Sequence, residues 1–115
     1  MNKDMIELIE EFIENAIIHG KATYDGDYKR GNKAGDKLFE ICQMMKENIG
    51  LAQNMLDILL CNDEPNVKIW ACSIALDMGY KVIEVEKMLR KLSEMPEIGI
   101  LGFDAKMILE TMDKL

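Results

Sequence analysis

Only two prolines, Pro65 and Pro96, interrupt this chain of 115 residues, so long stretches are free to be helical. Aromatic residues make up just 6% of it, and the supply of Leu, Ile, Met, Ala, Lys and Glu favours helix over strand. No apolar run approaches the ~20 residues needed to span a bilayer, which excludes a helical membrane anchor. The opening Met1-Asn2-Lys3-Asp4 lacks the basic-then-apolar layout of a secretory leader, and the expected location is the cytoplasm. Basic charge is also short: the formal net charge is -7, which repels a phosphate backbone and argues against general nucleic-acid binding. The three cysteines, Cys42, Cys61 and Cys72, form no close pair, so they read as free, mostly buried thiols, not a disulfide or metal site. Nothing matches H-E-x-x-H, a serine elbow or a phosphate loop; Gly31-Asn32-Lys33-Ala34-Gly35 lacks the Gly-Lys-Ser/Thr ending.

What is present suits one all-helical domain over residues 1–115. Hydrophobic residues make up 49% of the chain and charged residues 30%, enough for a core and a soluble surface. Met5, Ile6, Ile9, Phe12, Ile13, Ala16 and Ile17 recur at spacings of three and four, predicting a helix with Glu7, Glu11 and Glu14 on its outer side. Asp4 suits the start of that helix, and Asp25-Gly26 reads as its turn. A second register runs through Tyr28, Gly31, Gly35, Leu38, Cys42, Met45 and Ile49, with Asp27 as its cap. Gly31 and Gly35 share a face, which points to close approach by a neighbouring helix; the alternative is a helix starting near Asn32. Gly50 marks an expected break before Leu51, Ala52, Met55, Leu56, Leu59 and Leu60.

Pro65 suits the first turn of a fourth helix, whose stripe is Val67, Trp70, Ala71, Ile74, Ala75 and Met78, ended by Gly79. Val82, Val85, Met88, Leu89 and Leu92 mark a fifth, and Leu101, Ala105, Ile108, Leu109 and Met112 a sixth. The short connections between these elements predict stacked antiparallel pairs, with an irregular helical bundle as the alternative.

The apolar runs beginning at Val67 and Leu101 place Ala71 and Ala105 at equivalent positions, as a two-helix repeat would. Through Asn66-Val67-Lys68-Ile69-Trp70-Ala71 and the segment from Leu101 to Leu109, with Gly26-Asp27 and Asn32 earlier, the sequence resembles the bacterial domain of unknown function 2019 family of short HEAT-like repeat proteins. That resemblance implies a HEAT-like α-α superhelix and brings no reaction with it. Similar small repeat proteins include adaptors and toxin-immunity partners, so by analogy it favours binding over catalysis.

Candidate chemistry is sparse. His19, the single histidine, reads as an ordinary helix-surface residue, although a cleft joining it or Cys42 to carboxylates would be the cue for an enzyme. Glu7, Glu11 and Glu14 form a solvated face or an acidic patch that speeds encounter with a basic partner. Lys29, Arg30, Lys33 and Lys37, beside Tyr24 and Tyr28, make the one locally basic stretch, and Tyr and Arg often anchor protein interfaces. Most of the ten methionines fall in core registers, while Met44 and Met45 cannot both face inward. The expectation is a noncatalytic protein-binding module using Tyr24, Tyr28, Arg30, Glu7, Glu11 and Glu14, with no cofactor, metal, nucleic acid or membrane. A homo-oligomeric structural protein is the alternative, and a small enzyme the lesser one.

Overall fold

A computed structural model describes residues 4–113, all of whose regular elements are helical. In chain order these are α1 (Met5–Asp25), α2 (Tyr28–Glu47), α3 (Ile49–Leu59), α4 (Pro65–Met78), α5 (Val82–Ser93), a short 3-10 turn (Pro96–Ile98) and α6 (Ile100–Asp113). Local chemistry sets most of the boundaries. The Asp4 carboxylate accepts from the Glu7 N–H at 2.8 Å, occupying a donor that the first turn of α1 leaves open. Gly26 closes α1 in the left-handed conformation, φ 70°, and the Asp27 N–H reaches back to the Ala22 carbonyl at 2.9 Å. Asp27 in turn caps α2 by accepting from the Arg30 N–H, so the helix starts at Tyr28 and not near Asn32. Gly79 ends α4 as Gly26 ends α1, with the Tyr80 N–H on the Ala75 carbonyl at 2.8 Å.

The break expected at Gly50 falls earlier. Asn48 both ends α2, its N–H on the Met45 carbonyl, and begins α3, its side chain accepting from the Leu51 N–H at 3.1 Å. A short polar side chain that can serve two helix ends prevails over the adjacent glycine. Ile49 accordingly belongs to α3 and is exposed. Lys81, which precedes α5, holds a left-handed φ of 51° without being glycine. Its ammonium meets the Asp57 carboxylate at 2.9 Å and lies 5.5 Å from the centre of the Tyr80 ring, while the Tyr80 hydroxyl donates to Asp57 at 2.7 Å. These contacts fasten the α4–α5 turn to α3.

The helices pack into a compact bundle around one buried cluster. Phe12, Leu38, Met45, Met55, Leu56, Leu59, Val67, Val85 and Leu89 are all fully enclosed. The most extensive contacts are α1 with α2 and α5 with α6, and α4 packs against α1, α3, α5 and α6. Ala71 and Ala105 are both fully buried, and α4 and α6 pack against each other. Ile6 faces solvent, and Leu8 takes a core place on α1 instead. Met45 points in and Met44 out, and Met107 is also exposed. The closest helix approaches are not at Gly31 and Gly35. A Cβ added at Gly20 would stand 3.2 Å from the Asn66 Cβ, and one at Gly102 3.2 Å from the Leu92 carbonyl; at Gly31 and Gly35 the nearest atoms are at ordinary contact distance.

Candidate functional site

Along α1, Phe12, Ala16 and Gly20 lie four apart and are all buried, shrinking from a ring to no side chain. The start of α4 fits against this small end. Asn66, in its first turn, is 5% exposed and is the one buried polar residue recorded among the described residues. Its Nδ2 donates to the Ala16 carbonyl at 2.7 Å and lies 3.2 Å from His19 Nδ1. A carbonyl can only accept, so the Ala16 bond fixes which end of the Asn66 amide is nitrogen. The second amide proton then faces Nδ1, which must accept, and the neutral imidazole carries its proton on Nε2.

His19 is therefore no ordinary surface residue. Its ring is half-buried and meets Trp70 edge-on, with centroids 5.3 Å apart and an interplanar angle of 88°. Burial holds its pKa below the usual 6.5, against an opposing pull from Asp104 on α6. The half-buried Asp104 is shifted the other way: burial raises its pKa, and His19 only partly offsets this. No cation among the described residues forms an ion pair with Asp104.

Above His19 lies a cleft of about 320 Å³, bordered by Ala22 and Thr23 of α1, Tyr28, Gly31 and Asn32 of α2, and Ile100 of α6. Gly35 also borders His19, its added Cβ standing 3.9 Å from Cδ2. The first turns of α2 and the start of α6 thus both come close to His19. The two helices flank the second half of α1 as walls, without an extensive contact of their own. Each helix carries exposed apolar side chains at helical spacing, Tyr28 (82% exposed) and Phe39 (62%) on α2 and Ile100, Phe103 (59%) and Met107 on α6, and of these Tyr28 and Ile100 border the cleft.

The residues proposed from sequence fall in several places. Tyr28 borders this cleft. Tyr24 donates its hydroxyl to the Ile98 carbonyl, tying the end of α1 to the turn before α6. Glu11, Glu14 and Arg30 come together elsewhere, in a groove of about 320 Å³ between α1 and α2 that Lys33 and Lys37 also border. Acidic α1 there faces basic α2, so the two charge patches are opposing walls and not separate surfaces. Glu7 is exposed in the first turn of α1, away from both clefts. Asn66, Trp70 and Asp104 had no assigned role as site residues; the run of shrinking side chains through Ala16 to Gly20 was the available signal that another helix closes in there.

With Asn66 donating to its Nδ1, His19 presents Nε2–H as its remaining hydrogen-bonding group. Cys42 does not border the cleft, and burial pushes its thiol up to about 11 and that of Cys72 to about 12, so neither is a ready thiolate. Among the described residues no group of three or more His, Cys, Asp or Glu is arranged to hold a metal ion, and no helix is long and apolar enough to cross a membrane. No family model, curated protein or solved structure matches the chain.

Proposed function

We propose that this protein is a noncatalytic recognition module that captures a protein partner between α2 and α6. The observation carrying this reading is the pair of exposed apolar rows, Tyr28 and Phe39 on α2 and Ile100, Phe103 and Met107 on α6, of which Tyr28 and Ile100 border the cleft. Single exposed apolar residues are common on any protein, but two rows that each reach the same cleft at one end favour an interface. We read the architecture as HEAT-like stacked hairpins, an arrangement supported by the extensive α1–α2 and α5–α6 contacts. On that reading the module resembles the adaptor or toxin-immunity type, acting by stoichiometric capture. Its free cysteines agree with a cytoplasmic setting.

The test is a photo-crosslinking residue placed at Phe103 and, as a control, at Lys91 of α5, followed in the native cell. The reading predicts a discrete, saturable adduct from position 103 and none from 91. Adducts of equal yield from both positions, or from neither, would overturn it. Sedimentation across a wide concentration range separates the remaining alternative, since a structural homo-oligomer would grow with concentration and capture its own chain.

A further inference from the structure

The joint between α1 and α4 accepts one charge state of His19. The Asn66 amide donates to the Ala16 carbonyl at 2.7 Å and towards His19 Nδ1 at 3.2 Å. A protonated ring would turn an N–H against that N–H. Flipping the amide does not help, because its oxygen would then face the Ala16 carbonyl. One of the two contacts must therefore break on protonation, and burial decides which group gives way. Val67 and Ala71 of α4 are fully enclosed, and a Cβ added at Gly20 would stand only 3.2 Å from the Asn66 Cβ. The helices hold, and the half-buried imidazole is the part able to move. Room for it exists on the side away from α4. His19 borders the cleft of about 320 Å³ together with Tyr28, Gly31 and Ile100. A Cβ added at Gly35 would stand 3.9 Å from His19 Cδ2, and one at Gly31 3.5 Å from the Ala22 Cβ. Packing of α1 on α2 requires neither glycine, and both leave the ring's side of α2 bare.

We infer that His19 is a proton-operated switch: the neutral ring docks on Asn66 and Trp70, and the protonated ring leaves α4 and turns into the cleft, reshaping its wall while the fold stays closed. The groups around the ring fix the direction of the response. From α4 it meets Asn66 and Trp70, neither of which titrates. Its neighbours one turn away on α1, Asn15, Ala16, Ala22 and Thr23, carry no charge. Asp27 and Tyr28 of α2 border the same cleft, and Asp104 of α6 draws the imidazolium. Burial outweighs that pull and keeps the ring neutral below its usual 6.5, so the switch operates on the acid side of that value. The movement adds acid control of the cleft and needs no partner bound there, so it stands or falls separately from the recognition reading.

NMR of the full chain, titrated from about pH 7.5 down to about pH 5, tests it. Cross-relaxation peaks from the His19 ring to Trp70 and to the Asn66 side-chain amide should be present at neutral pH and disappear as the ring protonates, replaced by peaks to Tyr28 or Ile100. Their loss should follow the titration of His19 itself, while the amide shifts of Leu56 and Leu89 in the core stay fixed. Asn66→Ala removes the group that distinguishes the two charge states, and its ring should keep the Trp70 peaks throughout. His19→Gln, which leaves Asn66 in place, should abolish the pH dependence of Trp70 fluorescence that the wild type shows at the histidine midpoint. A wild-type ring that titrates while keeping its peaks to Asn66 and Trp70 would overturn the inference. So would a ring that stays neutral until the core amides themselves shift, or a Trp70 response that survives in His19→Gln.

Discussion

Replacing Asn66 with alanine tests the link between α1 and α4. Asn66 is 5% exposed and donates to the Ala16 carbonyl at 2.7 Å and towards His19 Nδ1 at 3.2 Å. A hydrogen bond made on folding is worth about 0.5–1.5 kcal/mol net, and a buried acceptor left without a donor costs about 1–3 kcal/mol. The Ala16 carbonyl is part of a helix and keeps some satisfaction there, whereas His19 Nδ1 loses its partner and is only half-buried. The expected loss is therefore about 2–3 kcal/mol. Urea unfolding followed by Trp70 fluorescence measures it: with a slope of about 1–3 kcal/mol/M for a small protein, the midpoint should fall by roughly 1–2 M without a change in slope. The variant should also raise the His19 pKa, because nothing then presents an N–H to the lone pair at Nδ1; nitrogen-detected NMR reads both this and the wild-type Nε2–H tautomer. A loss below about 0.5 kcal/mol with an unmoved His19 titration would refute the reasoning.

Two glycine substitutions should differ in sign. Gly102→Ala puts a methyl 3.2 Å from the Leu92 carbonyl, a backbone atom that cannot swing aside, and should destabilise by about 1–2 kcal/mol in thermal unfolding. Gly35→Ala meets nothing nearer than 3.9 Å in mid-helix and should gain about 0.5–1 kcal/mol. The folded pKa of His19 lies below its unfolded value, so the unfolded chain binds the extra proton first as pH falls below about 6.5. Stability from this group is complete above that pH and declines towards the folded pKa. Asp104, raised by burial, has the opposite sign in a window that opens above pH 3.8, so the difference in urea midpoints between wild type and His19→Gln from pH 5 to 7 isolates the histidine, and His19→Gln should flatten that pH dependence. Leu89→Ala, at a fully buried site shared by α5 and the rest of the core, should cost about 2–5 kcal/mol.

Local signals in the chain were readable because their causes are local. Asp4, Asp27, Pro65 and Gly79 act within a few residues of themselves, and each sits at a helix end as its chemistry requires. The stripe from Val67 to Met78 likewise stays inward along its length. Asn48 was missed because Gly50 nearby is the stronger conventional breaker, while the double use of one Asn side chain depends on where both helices point. The site was far less legible. His19 and Asn66 are 47 residues apart, and no periodicity within α1 reveals that α4 delivers a buried amide to its edge. Tyr28 and Ile49 fit the apolar register of the second helix yet are exposed, since spacing identifies a stripe but not whether another helix covers it. Glu11, Glu14 and Arg30 were recognised as charged patches, and only the α1–α2 packing made them opposite walls of one groove.

The central claim is that the stripes on α2 and α6 act as one surface that folding does not need. The most direct measurement is the crosslinking yield from a photo-probe at Tyr28 when Phe103 on α6 is changed to Asp. The adduct from position 28 should disappear while the urea midpoint stays where it was. An undiminished adduct, or a protein that loses its fold with that change, would contradict the account.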